Sequence, residues 1–357
     1  MTTAYINRIA TGVPPHDVHT AFVTYAQSLF ERDDRRSLAL KRMIERAGIE
    51  HRYSYLTPAA DSGGPALDAD SFYVRGHFPN TAARIRLFEA RAPDLATTTI
   101  EGLELGADRD RITHLLITSC TGLSAPGVDL DVIERCGLPT SIERTSIGFM
   151  GCCAAINALR LARHIVRSEP TARVLVVNLE LCTLHFQETT DLAQLLCFLL
   201  FSDGCAACLV TAEPQGVALG DFKAMILPDT RKLMAWNIRD FGFDMVLSGE
   251  VPAAIYEAVR ACSNEILAAA PAASIDLWAI HPGGRTILDA VQAALGLAPA
   301  ALAASRDVLR RYGNMSSATV MFVLKALMRS AAKGAHGCAM SFGPGLVAET
   351  MTFSVAA

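Results

Sequence analysis

The sequence has no apolar run long enough to cross a bilayer. Its most hydrophobic stretch, Leu192 to Phe201, is interrupted by Gln194 and falls well short of a membrane-spanning helix. It reads as a buried helix or loop, and no membrane insertion is expected. Charge is scarce: Asp, Glu, Lys and Arg make up 19% of the chain against 51% hydrophobic residues. That balance excludes a disordered chain and suits a large interior. Positive charge is not in excess either, since the formal net charge is −4. General attraction to nucleic acid is therefore excluded, although a local basic patch is enough to hold a phosphate-bearing ligand. The opening residues, MTTAYINRIATGV, lack the basic start and unbroken apolar segment of an export signal, so a cytoplasmic location is expected.

Ten cysteines are present, and in a cytosol they stay reduced. Cys205 and Cys208 form a CxxC inside a strand-like run, CAACLVTA. A strand points residues three apart to opposite faces, which argues against a metal or redox pair. No second CxxC accompanies it, and no metal is expected.

With 357 residues the chain can form two related halves sharing one extended core. The first hundred residues read as mostly helical, with amphipathic segments at Leu38–Ala47 and Thr81–Ala90, and Asp61–Pro65 reads as a loop. From Arg111 the texture becomes alternating α/β. Thr113–Ser119, Arg173–Leu181 and Cys205–Thr211 are apolar, β-branched runs that predict buried strands. Ala155, Leu159, Ala162 and Val166 predict a helix over Gly151–Val166 with one buried face. The last third repeats this order. Ile275–Ile280 reads as a strand, Ser316–Ser330 as an apolar helix, and His336–Ser341 and Leu346–Phe353 as closing strands.

The spacing suggests a duplication. From Cys120 to Cys152 is 152 − 120 = 32 residues, and from His281 to Asn314 is 314 − 281 = 33. Each pair offers one residue at a strand end and one before a helix. Packing about a pseudo-twofold axis would bring all four together.

Cys152 follows Phe149-Met-Gly at the start of a predicted helix. Gly151 permits a sharp turn there. The helix dipole is expected to lower the thiol's pKa, while Cys152 and Cys153 as small core residues is the plainer alternative. His281, in AIHPGG, closes a strand at the sheet rim, where α/β proteins hold ligands. Asn314, in RRYGNMSSA, also fits a simple helix cap. Together a Cys, a His and an Asn make an acyl-transfer set: a thiolate to attack a thioester, and two donors for the oxyanion. The same donors can stabilise the enolate left when a malonyl thioester loses CO2. A cysteine protease uses the same three types, with the histidine as general base.

Five motifs in order, MGCCAAINALRLA, LLFSDGCAA, AIHPGGRTILD, YGNMSSATVMFVL and SFGPGLVAET, make the chain resemble the type III polyketide synthases of the chalcone synthase superfamily, bacterial members in particular. The match runs from about Ile44 to the C-terminus. The resemblance implies a thiolase-like α/β fold, five-layered αβαβα with two duplicated halves, here divided as 1–212 and 213–357. It implies a homodimer that uses CoA thioesters as substrates and no further cofactor. By the same resemblance Cys152 is the nucleophile, Cys153 a bystander, and His281 with Asn314 the decarboxylation and oxyanion pair. Phe201 takes the gatekeeper position. Arg42 and Arg46 match basic positions that hold CoA phosphates, a third such position is Ala39 here, and Gly283 and Gly284 border the CoA path. Cys120, Thr121, Cys182, Leu184, His185, Cys197, Trp236, Met245 and Ser316 fall on cavity positions. A bulky Trp236 is expected to block one direction of that cavity, and Met245 to loosen its entrance.

The expected activity is an acyltransferase reaction. Malonyl-CoA condenses decarboxylatively onto an acyl-CoA starter held on Cys152, and the chain then cyclises to a pyrone, resorcinol or phloroglucinol. Two alternatives stay open: a ketoacyl-carrier-protein synthase III-like enzyme, and a non-catalytic protein of the same fold that binds acyl-CoA.

Overall fold

A computed structural model describes residues 2–267 and 271–356. Its centre is a nine-stranded mixed sheet made of two sets with the same pattern of directions. In the first set Tyr5–Gly12 runs antiparallel to Asp203–Thr211, which is antiparallel to Val174–Leu181, which is parallel to His114–Ser119. In the second, Val217–Ile226 is antiparallel to Val347–Val355, which is antiparallel to His336–Gly343, which is parallel to Leu277–Ile280. The first set carries one more parallel strand, Glu143–Gly148, at its outer edge. The sets meet through the short pairing of Tyr5 with Ala218 and Ile6 with Val217. The duplication inferred from spacing is thus visible as topology. His114–Ser119 and Leu277–Ile280 occupy equivalent places, and they end beside Cys120 and His281.

Three cores define the layers. Val174, Val176, Ala206, Cys208 and Val210 face inward onto the helices Ala154–Ser168 and Thr319–Met328. Leu175, Val177, Cys205, Ala207 and Leu209 face outward onto Thr81–Glu101 and Val128–Cys136. Trp278, Ile280, Cys338 and Met340 face the helices Val251–Ala261 and Arg285–Leu295 on the far side. The stacking is α, β, α, β, α, as expected. It also explains the unbroken apolar strands, since both faces of each are covered. Cys205 and Cys208 lie in different cores on opposite faces of one strand, so the CxxC is no site.

The predicted strands appear with small shifts at their ends, the segment read as Thr81–Ala90 extends as a helix to Glu101, and Leu192–Leu200 is a helix. Among the described residues no helix is long and apolar enough to cross a membrane. The expectation of a mostly helical first hundred residues was wrong. Tyr5–Gly12 is a central strand of the sheet. Its mixed sequence YINRIATG hides this, because Asn7 and Arg8 spend their polar groups on Glu213, Gln215, Glu104 and Asp108. Glu143–Gly148, with exposed polar side chains, and the hairpin Met234–Arg239 with Gly242–Leu247 also carry no apolar signature.

Candidate active site

Cys152 lies in a 3-10 turn, Gly151–Cys153, that leads into the central helix from Ala154. Gly151 has φ +58°, and a side chain there would strike Pro344, so the turn requires glycine twice over. Phe149 and Ser316 also have positive φ, at 56° and 48°. Backbone strain in non-glycine residues therefore brackets the thiol on both sides.

The cysteine is buried. Its Sγ donates to Ser316 Oγ at 3.9 Å, and the Asn314 side chain also reaches the sulfur. Burial pushes the thiol up to about 12, against the opposing pull of the Ser316 and Asn314 contacts. This corrects the expectation of a lowered pKa: the desolvation of a fully enclosed sulfur outweighs a single turn's dipole. Cys153 is separated by geometry. Its Sγ turns away, donating to the carbonyls of Ser341 and Val347 at 3.6 and 3.4 Å, and its neighbour Gly343 leaves room for the sulfur.

Asn314 is held by both ends of its amide. Oδ1 accepts from Ser316 N at 2.9 Å, and Nδ2 donates to Gly283 O at 3.3 Å. The amide is thereby fixed between the turn at Ser316 and the loop at Gly283. Its backbone exchanges hydrogen bonds with the segment around Phe201: Asn314 N donates to Leu200 O, and Ser202 N to Asn314 O, both at 2.9 Å. His281 leaves the end of Leu277–Ile280, its N–H donating to Met340 O at 2.8 Å. Its ring is buried, and neither nitrogen has a hydrogen-bond partner among the described residues. Burial lowers its pKa to about 3, which keeps the imidazole neutral, with one nitrogen free to donate and the other to accept. A side chain on Gly283 would lie 3.7 Å from His281 Nε2, so the imidazole edge and the Asn314 amide both border this glycine.

Beside Cys152 lies a cavity of about 30 Å³ lined by Cys120, Thr121, Gly151, Cys152, Cys182, Phe201, Met234, Trp236, Met245, Ser316 and Pro344. The space is that of roughly one water. Trp236 closes one wall, with its indole Nε1 donating to Cys120 O at 2.6 Å.

Three expected cavity residues, Leu184, His185 and Cys197, lie elsewhere. Leu184 belongs to the outer core, because the turn Cys182–His185 rotates it away from Cys182. Cys197 packs behind Cys182 and Phe201 without reaching the void. His185 also sits behind the wall, with Nε2 donating to Thr121 O at 2.6 Å and Nδ1 accepting from Phe243 N at 3.1 Å. Arg42 and Arg46 line a separate surface recess with Glu45 and Arg285. Gly283 and Gly284 line neither space; they lie next to His281 and Leu200 respectively.

Sequence reasoning missed Met234, Pro344 and above all Glu180. This carboxylate is fully buried at the back of the site. It accepts from Cys120 N at 3.0 Å, Thr121 Oγ1 at 3.0 Å and Ser317 Oγ at 2.6 Å, and burial raises its pKa. A lone acid in the apolar run VLVVNLEL was the available signal. Cys120 Sγ joins it to the site, 3.4 Å from Glu180 Oε2 and 3.3 Å from Ser316 Oγ.

The chain matches the family description "Chalcone and stilbene synthases" in both its parts, the N-terminal domain over residues 2–214 and the C-terminal domain over 221–356. It is 32% identical to the alpha-pyrone synthesis polyketide synthase-like Pks18 of Mycobacterium tuberculosis, covering 99% of this chain and 92% of that one. It is 34% identical to bisdemethoxycurcumin synthase of Oryza sativa, covering 87% and 81%. Among solved structures, the C-terminal type III polyketide synthase domain of Steely1 from Dictyostelium superposes with a TM-score of 0.89 at 27% identity, covering 99% of this chain and 100% of that one. PKS-I from the brown alga Ectocarpus siliculosus gives 0.87 at 27% identity, covering 99% of both chains.

Proposed function

The chain belongs to the chalcone and stilbene synthase family of type III polyketide synthases, and we propose that it builds a short polyketide from malonyl-CoA on an acyl-CoA starter carried by Cys152. The observation that carries this reading is the set around one buried sulfur. Ser316 and Asn314 touch Cys152, and a neutral imidazole, without a hydrogen-bond partner among the described residues, stands across Gly283 from the same amide.

The steps follow from these groups. The Cys152 thiol adds to the starter thioester as the neutral His281 takes its proton; the C–S bond to CoA breaks, and CoA leaves with that proton. Malonyl-CoA then binds with its thioester oxygen against His281 and Asn314. The C–C bond to the carboxylate breaks, CO2 departs, and the electron pair stays as an enolate held by those two donors. The enolate carbon attacks the Cys152 thioester, forming a C–C bond and releasing the sulfur. Transfer of the lengthened chain back to Cys152 permits another round, and ring closure ends the sequence. Because Pks18 is named for alpha-pyrone synthesis, a pyrone is the product class we favour over a resorcinol or phloroglucinol.

We further read the chain as two halves dividing at 212/213, acting in the cytoplasm as a homodimer. The edge strand Glu143–Gly148 supports the dimer: among the described residues its outer side has no partner strand, the exposed Leu123 shares a surface recess with Ser146, Ile147 and Gly148, and the exposed Met150 follows two residues after the strand. A free edge of this kind is a pairing surface, and sedimentation at the mass of two chains is the expected result.

Malonyl-CoA with short, long-chain and aromatic starters, with products weighed by mass spectrometry, tests the activity. Cys152→Ala should abolish product and the acyl-enzyme mass. Normal condensation by that variant refutes the assignment. A preference for malonyl-carrier protein over malonyl-CoA would indicate the ketoacyl synthase alternative instead.

A further inference from the structure

Arg42 and Arg46 lie one turn apart on the helix Asp34–Ala47. Ala39, a turn earlier, leaves that row one cation short. The recess they line, about 510 Å³ in volume, is otherwise lined, among the described residues, by Glu45 and Arg285. Arg285 comes from the other end of the chain, as the first residue of the helix Arg285–Leu295. Three guanidinium groups against one carboxylate leave the recess with an uncompensated charge of 3 − 1 = +2.

The neighbouring arginines are different. Arg306 is held by Asp289 and Gln292 at 2.6 and 2.9 Å, and Arg310 is bound by Glu50 and Asp307. Arg285 has only a loose approach, 3.9 Å, to the other oxygen of Asp289, and it is 58% exposed. Arg42 and Arg46 form no ion pair among the described residues. The recess also adjoins the catalytic loop. Arg285 follows His281-Pro-Gly-Gly directly, and Gly284 lies next to Leu200 at the end of the segment carrying Phe201.

Resting on the reading of CoA thioesters as substrates, we propose that Arg285 is the third phosphate-binding side chain of the entrance. It supplies from the second half of the chain the charge that Ala39 does not. The ligand chemistry is a nucleotide bearing a diphosphate and a separate monophosphate, which three guanidinium forks can engage bidentately.

The test is calorimetric binding of free CoA and of pantetheine, which lacks every phosphate, to the full chain and its variants. Arg285→Ala should weaken CoA binding about tenfold, the loss of one charge-assisted contact. It should leave pantetheine binding and the melting temperature unchanged, and Arg285→Lys should recover part of the loss. In turnover, Arg285→Ala should raise KM for malonyl-CoA with kcat unchanged. Equal CoA affinity in wild type and Arg285→Ala overturns the inference, as does an equal loss for CoA and pantetheine. The two readings fail separately. Polyketide formation with an Arg285-independent CoA affinity removes only Arg285. Arg285-dependent CoA binding without any condensation removes only the polyketide reading.

Discussion

The indole of Trp236 donates from Nε1 to the carbonyl of Cys120 at 2.6 Å. The bond ties the hairpin Met234–Leu247 to the end of a central strand, and the ring fills the space beside Cys152. His185 reinforces the tie. It stacks on Phe243 at 4.0 Å and meets Trp236 edge-on at 5.5 Å. The void of about 30 Å³ that remains is far below the few hundred Å³ of an ordinary ligand pocket. A growing chain therefore has to displace the flexible Met234 and Met245 rather than the pinned indole. Trp236→Ala should shift the products to masses at least one ketide unit higher with the same starter. An unchanged product spectrum would show that the chain grows in another direction.

Glu180 joins the two halves by accepting from Cys120, Thr121 and Ser317 at once. Glu180→Ala would leave three buried donors without their acceptor. The expected loss of stability is about 3 kcal/mol or more, from roughly 1–3 kcal/mol per stranded group. Glu180→Gln keeps the shape and one carbonyl oxygen, and should lose less than half of that. Urea unfolding of the two variants beside wild type measures both losses. Equal stability of all three would remove the carboxylate from any structural role.

How much of this was legible in the sequence depended on whether a residue's neighbours are local. Cys152, His281 and Asn314 each carry their own glycine turn, so each announces itself within a few residues. Their convergence needed the spacing argument and the paired strands. Arg285 gave no sign, because an arginine opening a helix looks like any solvated charge until the Asp34–Ala47 helix is placed against it. Leu184 was misplaced because the direction of a side chain in a short turn depends on φ and ψ, which composition does not encode. Tyr5–Gly12 was missed because its polar residues find partners distant in sequence, so its pattern resembles neither a buried nor a half-buried strand. The thiol's raised pKa was missed for a related reason: the helix start is visible in the sequence, whereas the enclosure of the sulfur is a property of the assembled fold.

Arg52 offers a test of how the Phe201 segment is held. It is fully buried, and Nη1 donates to Phe201 O at 3.0 Å and Phe198 O at 3.3 Å, while Nε donates to His19 Nδ1 at 3.1 Å. Phe201 lies between Leu200 and Ser202, the two backbone partners of Asn314, and Phe198 lies two residues before Leu200. Arg52→Met should cost about 3 kcal/mol through the stranded acceptors, read by urea unfolding at a temperature where the variant is still folded. It should also lower kcat, because Phe201 forms a bridge directly with Asn314. An unaltered kcat with the full stability loss would show that the register of Asn314 is fixed from elsewhere.

The buried imidazoles set the response to acid. Burial holds His281 and His185 at about 3, against 6.5 for the free side chain. In the unfolded chain each takes up a proton below 6.5, while in the folded chain each stays neutral until about 3. The unfolded state therefore binds more protons throughout that window. The contribution of the two rings to stability is complete above 6.5, declines as pH falls from there, and levels off below about 3. For His185 the cause is visible in its bonds: Nδ1 accepts from Phe243 N, and a proton on that nitrogen would eject the hairpin's amide. His185→Gln, which can still donate to Thr121, should flatten the acid side of the stability curve even if it lowers stability at neutral pH. Activity should behave differently. Because His281 remains neutral, decarboxylation of malonyl-CoA should show no ionisation near the free histidine value between about pH 5 and pH 8. Unfolding curves and initial rates collected over the same pH series separate the two effects. A rate that falls in step with protonation near 6.5 would mean that His281 is solvated in the working enzyme and that the closed cavity opens before the chemistry.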